Sequence, residues 1–159
     1  MTIKSFKEYL KEGGEDRIYW TPEASGTVIQ AKDTGRILFV LRSPDENEPE
    51  TWCFTIGGSK EDYDPDSRST VERESDEEIG SDYNVLSREI VDIYNDTENS
   101  SGMPFRYNTY LTIVEKEFKP TLNWEHTDYK WIDINVDPIP EPPHFGTILL
   151  LNTIRRRMK

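Results

Sequence analysis

The sequence predicts an α/β domain: a mixed sheet with helices packed against it. Two features predict this. Short runs rich in β-branched and aromatic residues, bounded by turn residues, read as strands, and a capped acidic helix lies between them, with another helix at the C-terminal end. At 159 residues the chain suffices for one core. Hydrophobic residues make up 34% and charged residues 31%, but 4 Trp, 8 Tyr and 6 Phe supply large burial units, which argues for a folded domain over a disordered one.

The elements follow in order. Ile3, Phe6, Tyr9 and Leu10 recur at helical spacing with Lys and Glu between them. Residues 3–12 therefore read as a short amphipathic helix stopped by Gly13-Gly14, within an N-terminal extension over 1–16 that precedes the domain at 17–159. Its apolar face would either support a homodimer or pack on its own domain. Residues 26–30 and 36–42 read as strands joined by a hairpin turn at Asp33-Thr34-Gly35. A polar loop over 43–50 leads to an apolar strand over 52–56, which Gly57-Gly58 is expected to break. An acidic loop over 59–66 follows. Asp66 or Ser67 then caps a helix running to Ile79, with Gly80 as its C-terminal stop. Residues 89–94, 106–114 and 129–134 read as further strands, 95–104 as a polar loop, and 145–158 as a final helix with Ile148, Leu151 and Ile154 on its apolar face.

Composition excludes several function classes. The net charge is −12, whereas binding nucleic acid through its phosphates requires a basic face, so no nucleic-acid partner is expected. Cys53 is the single cysteine, which rules out an intrachain disulfide and argues against a zinc–thiolate site. No stretch approaches a membrane span, and residues 1–7 lack the apolar run of a signal peptide; a cytoplasmic protein with no membrane partner is the expectation. The sequons at Asn95 and Asn99 accordingly carry little weight.

The chemistry concentrates in Gly57-Gly58-Ser59-Lys60-Glu61 and in Arg73-Glu74-Ser75-Asp76-Glu77-Glu78-Ile79-Gly80. At about 100° per residue, Glu74, Glu77 and Glu78 share one helix face. An acidic helix face is ordinarily just solvated surface. Three carboxylates this close repel unless a cation sits among them, and hard oxygen donors select Mg²⁺, Mn²⁺ or Ca²⁺. Arg73 lies four residues before Glu77 and can fix its rotamer, while the glycine pair lets backbone approach closely enough for the Gly58 carbonyl to serve as a further ligand. Asp62, Asp64 and Asp66 have the spacing of a calcium loop, but Ser67 and Arg73 stand where Gly and Glu are needed, which excludes an EF-hand. Arg155, Arg156 and Arg157 read as a solvated, dipole-complementing helix end. His126 and His144 have no ligand spacing between them and are assigned surface or packing roles.

The glycine–acidic loop–helix combination resembles the Nudix box of the Nudix hydrolases. Gly58, Arg73, Glu74, Glu77, Glu78 and Gly80 fall on the matching positions, and Asp64 stands where the box has its first Glu. Eight residues separate Asp64 from Arg73 where the box has seven, Ser75 and Ser81 replace apolar residues, and Thr55-Ile56 replaces the usual proline. The similarity extends from about residue 20 to 155: Ala24-Ser25-Gly26, residues 35–38, Trp52, and Glu125 followed by Trp131. It implies a Nudix-type α/β/α sandwich with a mixed sheet. It further implies a Mg²⁺-dependent (or Mn²⁺-dependent) pyrophosphohydrolase acting on a nucleoside diphosphate linked to another moiety: an ADP-ribose-like compound, a dinucleoside polyphosphate or a nucleoside triphosphate. On this reading Glu74, Glu77, Glu78 and the Gly58 carbonyl hold metal. Arg73 and Glu125 join the glutamates in catalysis, with Glu125 a metal contact or general base. Glu61, Tyr107 and Arg42 contact substrate. The alternative is a catalytically silent Nudix-fold module that senses a nucleotide.

Overall fold

The computed structural model describes residues 22–96 and 104–158. The helix expected over 3–12 and the boundary near residue 16 lie outside them. Among the described residues nine elements follow in chain order: β1 Glu23–Ala31, β2 Ile37–Arg42, β3 Trp52–Cys53, β4 Ile56–Ser59, α1 Ser67–Ile79, β5 Val85–Asp96, β6 Phe105–Val114, β7 His126–Ile132 and α2 Phe145–Arg157.

The sheet runs β3-β2-β1-β6-β5, with β4 also paired to β1 and β7 to β2. β1 and β6 run parallel along the whole of β1, from Glu23 opposite Arg106 to Ala31 opposite Val114, while the other pairings are antiparallel. The sheet is therefore mixed. Because β1 is flanked on both sides, nearly all its residues are buried, and it reads in sequence as a continuous run rather than an alternation. Each face of the sheet carries its own core. Val28, Ile37, Phe39, Trp52, Phe54 and Leu111 pack with Ile154 of α2. Ile29, Leu38, Val40, Cys53 and Ile56 pack with Ile79 of α1. One helix on each face completes the α/β/α sandwich.

Several boundaries differ from the expected ones. The segment 52–56 is two strands rather than one. Phe54 is fully buried, and its N–H donates to Thr147 Oγ1 of α2 at 3.3 Å instead of extending the ladder with β2. The chain then crosses to β1. There Gly57 and Gly58 lie within β4 opposite Gly26 and Ser25, rather than ending a strand. A side chain at Gly57 would strike the Ser25 carbonyl, so glycine here permits pairing instead of breaking it. β5 begins at Val85 and runs through Asp96, and β7 begins at His126, three residues earlier than expected. α2 starts where expected and ends at Arg157, one residue earlier, with Met158 as its C-cap. It buries Phe145, Thr147 and Ile154, with Leu150, Leu151 and Met158 partly buried behind them; Ile148 is not among the residues packed on this core.

His144 serves as the N-cap of α2: its Nδ1 accepts from the Gly146 N–H at 3.0 Å, and its Nε2 lies 2.8 Å from Glu48 Oε2. Arg155 Nη2 donates to the Ile134 carbonyl at 2.7 Å and Arg157 pairs with Glu89 at 3.0 Å, so the arginine run ties down a helix end. Among the described residues no helix is long and apolar enough to cross a membrane.

Ile154 is fully enclosed between α2 and the sheet. Ile154→Ala should lower unfolding free energy by about 2–5 kcal/mol, read from the urea midpoint at unchanged slope.

Candidate active site

The loop after β4 and helix α1 are joined by one arginine. Arg73 Nε donates to Asp64 Oδ1 at 3.1 Å and its Nη2 to Asp64 Oδ2 at 2.9 Å, forming a bidentate pair. The same guanidinium donates to the Ser59 carbonyl and to Glu74 Oε1, both at 3.1 Å, lies 3.5 Å from Glu77 Oε1, and packs over the Tyr63 ring. The expected partner, Glu77, is thus secondary to Asp64. Asp64 is buried and also accepts from the Glu61 N–H at 2.9 Å and the Thr70 hydroxyl at 3.1 Å. The extra loop residue leaves this connection intact: a side chain one methylene shorter than Glu still reaches Arg73. Asp66, the third acidic residue of the rejected calcium loop, caps α1 by accepting from the Ser69 N–H at 2.8 Å.

The buried face of α1 comprises Thr70, Val71, Ser75, Glu78 and Ile79. A carboxylate is therefore buried on the same face as Val71 and Ile79. The three helix glutamates, sharing a face by sequence, separate by depth. Glu77 is exposed at the rim, Glu74 is mostly buried, and the Glu78 side chain is only 4% exposed. Glu74 lies against the Gly58 Cα, where a Cβ would sit 2.5 Å from Oε1, so this glycine makes room for the carboxylate.

A second segment meets α1 at Glu78. Asn123 fastens it: its N–H donates to the Glu78 carbonyl at 3.3 Å, its Oδ1 accepts from the Glu125 N–H at 3.0 Å, and its carbonyl accepts from the His126 N–H at 3.3 Å. The Ser43 N–H donates to the Glu125 carbonyl at 2.8 Å, which ties the same segment to the end of β2. Thr121 donates to the Ile79 carbonyl at 2.9 Å beside Gly80, whose φ of 78° suits glycine. The result is a cluster of Glu78, Glu125 and His126, with one potential ligand atom from each lying within 4.8 Å of the others.

The electrostatics are dominated by burial and by carboxylates that face one another. Burial, and then the neighbouring Glu125, push Glu78 well above the usual carboxylate range. Burial also raises Glu74 and Glu125. Glu78 Oε2 and His126 Nδ1 are buried without a hydrogen-bond partner. Burial, with the Arg42 charge, lowers His126 to about 4, leaving a neutral imidazole at pH 7. Such a donor set, two carboxylates and an imidazole with buried atoms left unsatisfied, fits a divalent ion on chemical grounds.

The proposed substrate contacts are dispersed. Arg42 acts electrostatically on Glu78 and Glu125, and its Nε donates to the Asn47 carbonyl at 2.7 Å. The Tyr107 hydroxyl is wedged over Gly26, and burial followed by the Glu78 charge raises its pKa. The Glu61 side chain is exposed on the loop. Sequence reasoning missed Asn123 and the inward orientation of His126. The position of His126 directly after Glu125 was the available signal, but adjacent strand residues ordinarily point to opposite faces. Here the β2–β7 register slips, pairing Leu41 with Asp128 but Arg42 with His126; this bulge re-aims the side chain.

Arg73 holds Asp64 well below the usual carboxylate range, chiefly through their hydrogen bonds. The stability gained from that depressed pKa is fully present above the ordinary Asp value, about 3.9, and fades as pH falls toward the folded value. Asp64→Asn should cost about 3 kcal/mol at pH 7, measured by urea unfolding, and should flatten the loss of stability below about pH 4.

The family model of the NUDIX domain matches residues 21–143. No curated protein matches the sequence. Among solved structures, the Nudix hydrolase RenU from M. Smegmatis is similar at a TM-score of 0.68, with 17% identity and 87% of each chain covered. The NUDIX domain of Shewanella oneidensis NrtR, complexed with ADP ribose, is similar at 0.65, with 17% identity over 98% of this chain and 100% of that one. A MutT NUDIX hydrolase from Burkholderia pseudomallei is similar at 0.60, with 21% identity over 83% and 98%. The box residues, the two-faced mixed sheet and the family match lead to one conclusion: this chain belongs to the Nudix family of hydrolases, which act on phosphorus-containing acid anhydrides.

Proposed function

We propose that the protein is a Mg²⁺-dependent or Mn²⁺-dependent pyrophosphohydrolase of nucleoside diphosphate derivatives, with ADP-ribose-like compounds as the first substrate class. The observation that carries this reading is Glu78: a carboxylate buried on the helix, one oxygen unpartnered, set beside Glu125 and close to Glu74. A structural carboxylate in this position would be neutralised by an arginine, as Asp64 is by Arg73. The ADP-ribose preference is supported by likeness to the NrtR domain, which holds ADP ribose and matches nearly this whole chain.

Glu74, Glu78 and the Gly58 carbonyl would hold the ion, with Glu77 at the rim contributing as substrate enters. When bound, a divalent cation neutralises charge on the diphosphate and makes water a stronger nucleophile. Glu125, its pKa raised by burial, is the candidate general base and takes the proton of the attacking water. Arg73 acts through Glu74 and Glu77, holding their rotamers with the bonds that also fix the loop. Arg42 acts electrostatically on these carboxylates and is the candidate charge for the diphosphate, with Tyr107 a candidate substrate contact; with an acidic chain, the diphosphate relies on bound cations and such few polar groups for attraction. Cytoplasmic location belongs to this reading, with residues 3–12 either supporting a homodimer or packing on their own domain.

Phosphate release through a coupled phosphatase, across ADP-ribose, dinucleoside polyphosphates and nucleoside triphosphates, tests the proposal. Metal-dependent turnover of one class, lost in Glu78→Gln, is expected. Nucleotide binding by folded protein without turnover of any compound would favour the sensing module instead. Glu125→Gln should reduce turnover at least about tenfold, and a wild-type rate would remove it from the mechanism. Gly58→Ala displaces only the flexible end of Glu74. Calorimetry should therefore show divalent-ion affinity falling at least about tenfold, with little change in the thermal midpoint.

A further inference from the structure

We infer that His126 is a metal ligand, so that this centre adds an imidazole nitrogen to the carboxylate oxygens of Glu78, with Glu125 beside them as the base, and favours Mn²⁺ over Mg²⁺. This rests on the metal-dependent reading above. His126 Nδ1 and Glu78 Oε1 lie 3.9 Å apart, with the two side chains 3% and 4% exposed. That separation is too long for a hydrogen bond, yet short enough for both atoms to reach one ion at about 2.1 Å each. His126 Nδ1 and the other oxygen of Glu78, Oε2, are both buried without a hydrogen-bond partner. Leaving polar atoms of a buried imidazole and a buried carboxylate unsatisfied is costly, and a single cation held between the two side chains offsets that cost.

The surroundings hold His126 in this position. Its N–H is bonded to Asn123, which is itself bonded to the end of α1 at the Glu78 carbonyl, so imidazole and carboxylate are fixed to one framework. The bulge opposite Arg42 turns the side chain inward where a regular strand would turn it away. An imidazole suits Mn²⁺ and later first-row ions, whereas Mg²⁺ prefers all-oxygen surroundings and retains its water.

The chain has 2 histidines, and His144 is committed to Gly146 and Glu48 at the cap of α2. A nitrogen signal from bound metal is therefore assignable. Tag-free, metal-stripped protein is loaded with Mn²⁺ and examined by electron spin-echo envelope modulation, with Mn²⁺ and Mg²⁺ affinities measured by calorimetry. Wild-type protein should show coupling from a directly coordinated imidazole nitrogen. In His126→Gln, checked for fold by circular dichroism, that coupling should vanish. Mn²⁺ affinity should then fall at least about tenfold, with Mg²⁺ affinity changing less. Tightly bound Mn²⁺ without nitrogen coupling in the wild type would overturn the assignment, whatever the variant does, and leave the hydrolase reading standing. Absence of Mn²⁺ binding would sink both. Nitrogen coupling without turnover of any substrate would uphold the ligand and sink the catalytic reading.

Discussion

Arg73 holds two parts of the site in one geometry. Its planar guanidinium takes both oxygens of Asp64 on the loop and one of Glu74 on the helix, and reaches the Ser59 carbonyl at the end of β4. A lysine, as a compact point charge without a fork of donors, could not make these bonds together. Strand end, loop and helix are thereby fixed relative to one another, and the depth of each glutamate on α1 follows. The Asp64 pairing is nearly enclosed, so removing either partner strands a buried charge. The bridge forms with the additional loop residue present.

Against that fixed frame the site accumulates cost. Glu78 occupies a place in the buried stripe of α1 that an apolar residue would fill more cheaply, and Glu125 sits beside it. Isolated buried carboxylates are not tolerated as charges; they take up protons or recruit a cation. The protein supplies arginine to Asp64 and gives Glu78 no equivalent, although Arg42 provides some favourable field. The contrast between these two buried acids on one helix–loop unit separates a structural role from a chemical one. Perturbed carboxylates with unsatisfied atoms are the usual mark of a functional centre.

The second half of the centre is attached by backbone. Asn123 uses its N–H, its side-chain oxygen and its carbonyl to join α1, Glu125 and His126, and the Ser43 N–H adds a tie to β2. These bonds join the loop residues to α1 and to the end of β2, which suits residues that must be held in position for substrate. The short strand β4 contributes in another way: its glycines bring the backbone close to β1 on one side and admit Glu74 on the other.

Local chemistry wrote much of this structure into the sequence. Asp66 and Gly80 marked both ends of α1 because capping depends on neighbouring residues alone, and Gly35 marked the hairpin for the same reason. The box positions singled out Glu74, Glu77, Glu78 and Arg73. Other features depend on distant partners and left no local trace. The division of residues 52–56 between two strands follows from Thr147 of α2 taking the Phe54 N–H. The pairing of Arg73 with Asp64 rather than chiefly with Glu77 follows from the path of the loop. The inward turn of His126 follows from a register slip against β2, invisible to any periodicity within β7. The sequence by itself determined which residues can hold charge and where helices start and stop, because those properties are set within a few bonds. Only the tertiary structure decided which charges are buried together, because burial depends on what the rest of the chain places over them.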